Sequence, residues 1–553
     1  MSRLSRATLI VFLAACGDDD GGMDASVDAS LDVIDVDSAG DVGLDAPSDA
    51  GPPPEVEVTY DHGTVVGRTI DGVDWFLALP YAAPPVGDLR FRPPAAVTPW
   101  TEPRDASEPP ETCAQVNVLA AATEVSGSED CLYLNVFSPD VTASDLPVYL
   151  WIHGGAFIAG SGGRSPSAFA RGTGHIVVTI NYRLDELGFL AHSALTAEGA
   201  TGNYGLLDQR AAMEWVRDHI EAFGGDPDNV TIAGESAGGI SVALHALSPG
   251  SDGLFHRAVV QSGPPDLLPL PTLEQAQTRG ESFASSVGCA DVDTAPACLR
   301  ALSVDELVLP TPIDAEPGGI FYQSVAVVPT PNIDGVVLPE SPADALAGGR
   351  FSDVPYLIGS NGDEGTLFHG EALSELIENE AEYRTALGAR YPDDVDAIVA
   401  AYPVASYDDA NAALTAVTSD QFNCATREYV RLLADGGASV WLYAFEAVPE
   451  GLFVRSLGLN AYHSAELVFL FDLDDTLLGK VADADRDLQA AMYGFWGRFV
   501  ATGDPNGGDE PAWPAYATSS DAHMLLVTPP TAGSGYLESV CDFWADITPT
   551  VMY

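Results

Sequence analysis

Basic residues are scarce in this sequence. Its 553 residues include 81 Asp and Glu but only 23 Lys and Arg, and the formal net charge is −58. Lys480 is the single lysine. A surface this acidic repels phosphate backbones, which argues against nucleic acid as a partner. Excess negative charge favours solubility and is tolerated best where salt screens it, so a saline setting is one explanation of the composition. A genomic codon bias for Asp, Arg and Ala is the alternative.

Long apolar runs are also missing. Residues 7–15 form a short apolar run after two arginines, too short to span a bilayer. This pattern is typical of an export signal. Because a Leu-Ala-Ala stretch directly precedes Cys16, we interpret residues 1–16 as a lipoprotein signal peptide, with a lipidated Cys16 that anchors the protein to a membrane. By similarity to bacterial lipoprotein sorting, Gly17 indicates the outer membrane or cell surface. An ordinary cleaved signal, with secretion or a periplasmic location, is the alternative.

Residues 17–56 lack aromatic residues and basic residues. They contain 11 Asp and one Glu among Ala, Ser, Gly, Val and Pro. Such a segment has too little apolar surface to fold and repels itself, so we predict a disordered acidic linker. The remaining residues, 57–553, hold 69 acids against 21 bases and are predicted to form one folded domain.

Cysteine is infrequent, but its number is informative. If Cys16 carries lipid, six cysteines remain in a chain predicted to be exported, where disulfides persist. Six cysteines allow 15 pairings. Their local order favours Cys113 with Cys131 and Cys289 with Cys298, which leaves Cys424 with Cys541. Reduced, buried thiols are the alternative.

The sequence Gly-Glu-Ser-Ala-Gly-Gly at 234–239 is the strongest local signal. A β-branched run at 229–233 precedes it, and residues 240–247 have helical spacing. This arrangement is typical of a nucleophilic serine on a sharp strand-to-helix turn, where only small neighbours fit. We therefore predict Ser236 as a nucleophile.

A nucleophilic serine needs a histidine base. Along the chain, a serine on such a turn is followed by the acid and then by the histidine. Only His369, His463 and His523 lie far enough downstream of Ser236 for an acid to come between. His463 lies in a loop just before a helical segment. His523 lies in a polar turn and is expected at the surface.

Two acids are candidates for orienting the base. Asp363 and Glu364 follow an apolar strand predicted at 354–358. This places both at the carboxyl end of a strand, where active-site residues of an α/β sheet lie.

A glycine-rich turn follows a predicted strand at 146–152. Its sequence, His-Gly-Gly-Ala-Phe at 153–157, lets backbone N–H groups approach a substrate oxygen. Each such donor stabilises a transition state by roughly 3 kcal/mol. We predict an oxyanion hole here.

Together these motifs resemble the type-B carboxylesterase/lipase family of the α/β-hydrolase fold, which includes carboxylesterases, cholinesterases and bile-salt-activated lipases. The resemblance covers residues 57–553. It is carried by FLALPYAAPPVGDLRFRPP (76–94), EDCLYLNV (129–136), HGGAF, NYRL (181–184), GNYGLLDQ (202–209), FGGDPDNVTIAGESAGG (223–239), VQSG (260–263), DEG (363–365) and HSAEL (463–467).

The resemblance implies a role for each matching residue. It implies a triad of Ser236, Glu364 and His463, and an oxyanion hole of the backbone N–H groups of Gly155, Ala156 and Ala237. Gly154, Glu235 and Ser262 are expected to support the site. The family's usual glycine is replaced by Ala156, which is expected to be tolerated because the backbone amide makes the contact. The family's disulfides also match the local pairing of the cysteines.

The resemblance implies an α/β fold, with a mostly parallel central sheet flanked by helices and large helical and loop insertions over the active site. The implied activity is ester hydrolysis through an acyl-enzyme, with an ester as the small-molecule partner and no metal or organic cofactor. The sequence leaves the oligomeric state open.

The segment between Cys113 and Cys131 bears on the substrate. In cholinesterases the matching loop presents a tryptophan to the choline cation. Here it contains no aromatic residue, so we predict a carboxylesterase for short- to medium-chain esters. A lipase for longer-chain acylglycerols is the alternative. A non-catalytic adhesion module is disfavoured, because Ser236, Glu364 and His463 are all present.

Overall fold

The computed structural model describes residues 52–116, 124–267, 269–308, 329–369, 377–475 and 478–547. The predicted signal peptide, Cys16 and most of the predicted acidic linker lie outside these residues. The first strand begins at Glu55, two residues inside the stretch predicted as linker. Among the described residues, no helix is long and apolar enough to cross a membrane.

The strands are numbered in chain order. They are β1 (Glu55–Tyr60), β2 (Gly63–Ile70), β3 (Val73–Pro80), β4 (Arg104–Asp105), β5 (Gln115–Val116), β6 (Val125–Ser126), β7 (Tyr133–Ser138), β8 (Leu146–Ile152), β9 (Ile176–Ile180), β10 (Gly225–Glu235), β11 (Arg257–Gln261), β12 (Tyr356–Asn361), β13 (Val440–Phe445), β14 (Asp474–Asp475), β15 (Gly479–Lys480), β16 (Ala522–Leu526) and β17 (Thr531–Ser534).

The helices of the described residues are numbered in the same way. They are α1 (Ser167–Thr173), α2 (Asp185–Phe189), α3 (Ser193–Ala197), α4 (Tyr204–His219), α5 (Ala237–Ala246), α6 (Leu273–Ser286), α7 (Ala295–Ala301), α8 (Val304–Val308), α9 (Pro342–Ala347), α10 (Gly365–Phe368), α11 (Glu380–Arg390), α12 (Val395–Ala401), α13 (Ala410–Asp435), α14 (Leu452–Ser456), α15 (Ala465–Leu470), α16 (Arg486–Thr502) and α17 (Glu538–Trp544).

One large sheet dominates the fold. Its strand order is β1-β2-β3-β7-β9-β8-β10-β11-β12-β13-β16-β17, with β4 beside β2. The strands from β9 to β16 in this order run parallel, and the strands at both ends pair antiparallel. The predicted mostly parallel α/β sheet is therefore confirmed.

Both faces of the parallel strands are buried. Successive side chains of a strand point to opposite faces; in β8, Val148, Leu150 and Ile152 belong to one apolar cluster and Tyr149 and Trp151 to another. The first cluster includes residues of α4, α5 and α13, and the second includes residues of α1, α15 and α16. This explains why these strands are almost continuously apolar.

All three predicted disulfides are present. They join Cys113 to Cys131, Cys289 to Cys298 and Cys424 to Cys541. The last of these links α13 to α17 across a separation of 117 residues.

His523 differs from its predicted surface position. It lies in β16 and is only 7% exposed. Its ring lies against Gly533 of the neighbouring β17, where an added Cβ would meet the ring at 2.6 Å. The missing side chain of Gly533 makes room for the ring, and only the pairing of the two strands reveals this space.

Candidate active site

Ser236 lies on the turn between β10 and α5 and is half-buried. Its φ of 57° and ψ of −124° are strained for a residue with a side chain. The Ser236 N–H donates to the Gln261 carbonyl at 2.9 Å, which ties the turn to β11. Small neighbours are required, since a Cβ on Gly238 would lie 2.0 Å from the Ile152 carbonyl oxygen. The turn thus presents the Ser236 hydroxyl at the carboxyl edge of the sheet.

Glu364 and His463 meet at the same edge. Nδ1 of His463 lies 2.5 Å from Oε2 of Glu364, and both residues are buried. The other carboxylate oxygen of Glu364 accepts hydrogen bonds from Ser262 Oγ at 2.5 Å and from the Asn361 N–H at 2.8 Å. These two hydrogen bonds to Oε1 fix the orientation of the carboxylate, with Oε2 facing Nδ1 of His463.

The second ring nitrogen of His463 faces a different carboxylate. Nε2 lies 3.0 Å from Oε1 of Glu235, the residue before Ser236. The alignment does not make a hydrogen bond, and Nε2 has no hydrogen-bond partner among the described residues. Oε1 of Glu235 instead accepts a hydrogen bond from Ser464 Oγ at 2.6 Å.

A third carboxylate, Glu466, is fully buried beneath the pair. It accepts hydrogen bonds from Gln261 Nε2 at 2.9 Å and from Asn361 Nδ2 at 2.6 Å. Burial, together with the charges of Glu235 and Glu364, raises the pKa of Glu466 to about 8. The protein therefore favours the neutral form of Glu466 more than water does.

The same charges act on His463. Burial lowers its pKa, but the carboxylates of Glu235 and Glu364 outweigh this and raise the pKa to about 9. Burial has the opposite effect on Glu235 and raises the pKa of its carboxyl, while the charge of the nearby His463 opposes that shift. The charges of both glutamates thus favour the protonated form of His463, although only Glu364 is hydrogen-bonded to it.

Two aromatic rings cover His463. Phe368 and Phe422 stack with their centroids 5.6 Å apart, and their centroids lie 4.8 Å and 5.1 Å from that of the histidine. Phe368 is the last residue of α10, the helix that begins directly after Glu364, and Phe422 lies on α13. The His463 ring therefore contacts apolar side chains as well as carboxylates.

The glycine-rich turn follows β8 as predicted. Gly155, Ala156 and Phe157 all have positive φ, at 105°, 55° and 65°. The N–H groups of Ile158 and Ala159 both donate to the Gly155 carbonyl, which closes the turn. The alanine methyl is accommodated in a backbone conformation that favours glycine.

Gly154 brings this turn against the serine. A Cβ at Gly154 would lie 2.8 Å from the Glu235 carbonyl oxygen and 3.0 Å from Ser236 Cβ. Ala237, the third predicted oxyanion residue, is the first residue of α5, so its N–H has no acceptor within the helix.

The remaining candidates lie elsewhere or play other parts. Asp363 does not contact His463; its Oδ2 accepts from the Ala461 N–H. His369 is buried, with Nε2 2.8 Å from Thr418 Oγ1. Glu466 and Ser464 were not predicted as site residues. A glutamate within the apolar run of 465–470 was a signal for the first, since a buried carboxylate needs partners.

Comparison with known proteins places this geometry in context. The model of the carboxylesterase family matches residues 52–544. The chain is 36% identical over 472 residues to fumonisin B1 esterase of Sphingopyxis macrogoltabida, covering 82% of this chain and 83% of the relative. It is 35% identical over 491 residues to para-nitrobenzyl esterase of Bacillus subtilis, covering 85% and 94%. A solved structure of PNB esterase superposes with a TM-score of 0.76 at 32% identity, covering 88% of this chain and 99% of that one.

Proposed function

This chain belongs to the carboxylesterase family, and on that premise we propose that it hydrolyses carboxylic esters of short to medium acyl length with Ser236, Glu364 and His463 as a triad. The observation that carries the assignment of residues is the hydrogen bond between Glu364 and His463 Nδ1, beside the strained turn of Ser236. This is the arrangement in which a carboxylate orients a histidine that activates a serine.

In the acylation step, Nε2 of His463 takes the proton of Ser236 as Oγ attacks the ester carbonyl carbon. The carbonyl oxygen becomes an oxyanion and accepts hydrogen bonds from the N–H groups of Gly155, Ala156 and Ala237. The C–O bond to the alcohol then breaks, and the alcohol leaves with the proton from His463. Glu364 stabilises the charged imidazole throughout.

Water completes the reaction. His463 takes a proton from a water molecule, whose oxygen attacks the acyl group on Ser236, and the collapse of the second tetrahedral intermediate returns the proton to Ser236 Oγ. The products are the acid and the free enzyme. Each step uses only the protein, the ester and water.

The role of Ser236 is tested by the Ser236→Ala variant. Hydrolysis of p-nitrophenyl butyrate should fall by about 10⁶-fold, as it does when other triads lose their serine. A fluorophosphonate probe should label the wild type and not the variant. Ser282→Ala, at an exposed position on α6, is the control and should match the wild type. Turnover retained by Ser236→Ala would refute the mechanism, and a wild type that neither reacts nor turns over would favour the adhesion module.

Acyl length is tested by comparing p-nitrophenyl esters of increasing chain length. The absence of aromatic residues between Cys113 and Cys131 supports a general esterase rather than a choline esterase. We expect the largest kcat/KM at four to eight carbons. A maximum at twelve or more would overturn this assignment in favour of a lipase.

One observation favours the lipase as a second candidate. Val448, Leu452 and Phe453 are exposed by 45%, 81% and 38%, and in the chain they follow β13 and precede His463. Exposed apolar side chains suit an aggregated substrate. Replacing Leu452 and Phe453 with Asp should then lower activity on emulsified esters but not on soluble ones. Val336→Asp, at another exposed valine, is the control.

We also propose that the enzyme is exported and anchored by lipid on Cys16, at the outer membrane or cell surface. The basic and apolar start of the chain and the Leu-Ala-Ala stretch before Cys16 support this. Mass spectrometry should find acyl chains on an N-terminal Cys16, and Cys16→Ser should leave the membrane fraction. A wild type with an unmodified Cys16 would contradict the anchor.

A further inference from the structure

Ser464, the residue after His463, has an unfavourable backbone conformation. Its φ of 79° and ψ of 5° lie in the left-handed region, where glycine is favoured and most side chains are strained. It directly precedes α15 but makes no side-chain cap to that helix. Capping therefore does not explain why a serine occupies this position.

The Ser464 side chain contacts the active site instead. Its Oγ donates a 2.6 Å hydrogen bond to Oε1 of Glu235, a carboxylate only 4% exposed. That same oxygen lies 3.0 Å from Nε2 of His463 without the alignment of a hydrogen bond. Glu235 is thus close enough to bind the catalytic base but is turned towards Ser464.

The direction of Glu235 matters because Nε2 is the nitrogen that must accept the proton of Ser236. A carboxylate aligned with Nε2 would stabilise the charged imidazole and occupy the position needed by the serine hydroxyl. Nδ1 is already bound to Glu364. Other titratable or charged groups of this region are Glu466, whose charge also acts on His463, and Arg164, whose charge acts on Glu235. The buried phenol of Tyr443 also interacts with the charges of Glu466, Glu364 and Glu235. Phe368 and Phe422 contribute only apolar surface.

We propose that Ser464 is a positioning residue, whose hydrogen bond holds the Glu235 carboxylate out of line with His463 Nε2 and so leaves this nitrogen open to Ser236. The inference rests on the proposed function, because it takes His463 as the base. Among the described residues, the other group close to Oε1 of Glu235 is His463 at 3.0 Å, so without Ser464 the carboxylate and a protonated His463 would form an aligned ion pair.

The experiment is the pH dependence of kcat/KM for p-nitrophenyl butyrate, whose acidic limb reports the protonation of the base in the free enzyme. In Ser464→Ala the limb should move to higher pH by about one unit, the effect of one hydrogen bond between charged groups. Below the limb, kcat/KM should fall about tenfold at fixed pH.

Making the same change in the Glu235→Gln variant separates a positioning role of Ser464 from a structural one. In Glu235→Gln there is no carboxylate to capture the base, so adding Ser464→Ala should move the limb no further. Ser464→Gly removes the hydroxyl and also relieves the left-handed strain. It should shift the limb as Ser464→Ala does, while its melting temperature equals or exceeds that of Ser464→Ala.

Ser193→Ala is the matched control, because Ser193 Oγ donates to Glu281 at 2.5 Å between α3 and α6, away from the triad. Its pH profile should equal that of the wild type. An unshifted limb in Ser464→Ala, a shift to lower pH, or an equal shift in the Glu235→Gln background would each overturn the proposal. Failure of the wild type to hydrolyse esters would instead refute the proposed function, so the two failures are distinguishable.

Discussion

Buried carboxylates occur in two different settings in this molecule. Away from the sheet edge that holds Ser236 and His463, three carboxylates that are buried or nearly so are paired with arginine: Asp208 with Arg183 at 2.7 Å, Glu186 with Arg279 at 2.7 Å and Glu129 with Arg90 at 2.6 Å. Each of these contacts is bidentate. Because arginine keeps its charge at all ordinary pH values, such pairs are fixed parts of the structure.

At the sheet edge that holds Ser236 and His463, the carboxylates have no such partner. Among the described residues, Glu235, Glu364 and Glu466 have no lysine or arginine within 4.0 Å, and the first two share His463. Glu235 and Glu364 therefore interact with a group whose charge changes with pH. Acids paired with arginine thus stabilise the fold, whereas acids that share a histidine favour its protonated form.

The strongest way to break this comparison is Glu364→Gln. It should lower kcat by about 10⁴-fold, as replacing the orienting acid does in other triads, because the amide no longer stabilises the charged imidazole. The free energy of unfolding, measured in urea, should change little, since no fixed cation is left unpaired. A large loss of stability would contradict the distinction between the two settings.

Arg183→Met should have the opposite result. It leaves Asp208 buried without its cation, and removing one partner of a buried pair costs about 3–5 kcal/mol of unfolding free energy. Urea denaturation measures this cost. The folded fraction should retain its kcat for p-nitrophenyl butyrate within a few-fold, and a loss comparable to that of Glu364→Gln would contradict a purely structural role.

The pH dependence of the wild type sharpens the comparison further. His463 accepts a proton only when neutral, and Glu235 and Glu364 raise its pKa to about 9. We therefore expect kcat/KM to rise from pH 7 to pH 9 and then to level off. The rise should approach tenfold per unit at the low end. A plateau already reached at pH 7 would show that the two carboxylates do not hold the proton.

Glu466→Gln should have the smallest effect. Since burial and the charges of Glu235 and Glu364 raise the pKa of Glu466 and favour its neutral form, we expect an amide to change little charge there. One of the hydrogen bonds from Gln261 and Asn361 is lost, so kcat/KM at pH 7 should fall by less than about tenfold. Activity across the pH range measures this, and a loss as large as that of Glu364→Gln would place a charged Glu466 in the mechanism.

The sequence predicted the parts of the site that are local in the chain. Strand β8 has the bounds predicted for it, because its apolar run ends sharply at the glycine-rich turn. The serine turn required small residues on both sides of Ser236, and this requirement is readable in the chain. The disulfides also followed from the local order of the six cysteines after Cys16.

Features that depend on distant segments were not predictable in this way. The contact of Ser464 with Glu235 joins residues 229 positions apart. Glu466 acquires its role only because β11 and β12 bring Gln261 and Asn361 together. His523 was wrongly placed at the surface because its polar neighbours mask the space left by Gly533.

The disulfide between Cys424 and Cys541 encloses His463 in a covalent loop, while Ser236 and Glu364 remain outside it. The exposed residues around Leu452 lie within this loop. A protease that cuts the chain there would release no fragment, because both sides of the cut stay joined through the two cysteines. Such a nicked protein would still run as one species on a gel without reductant, and the fragment with His463 would separate from the fragment with Ser236 only after the disulfide is reduced.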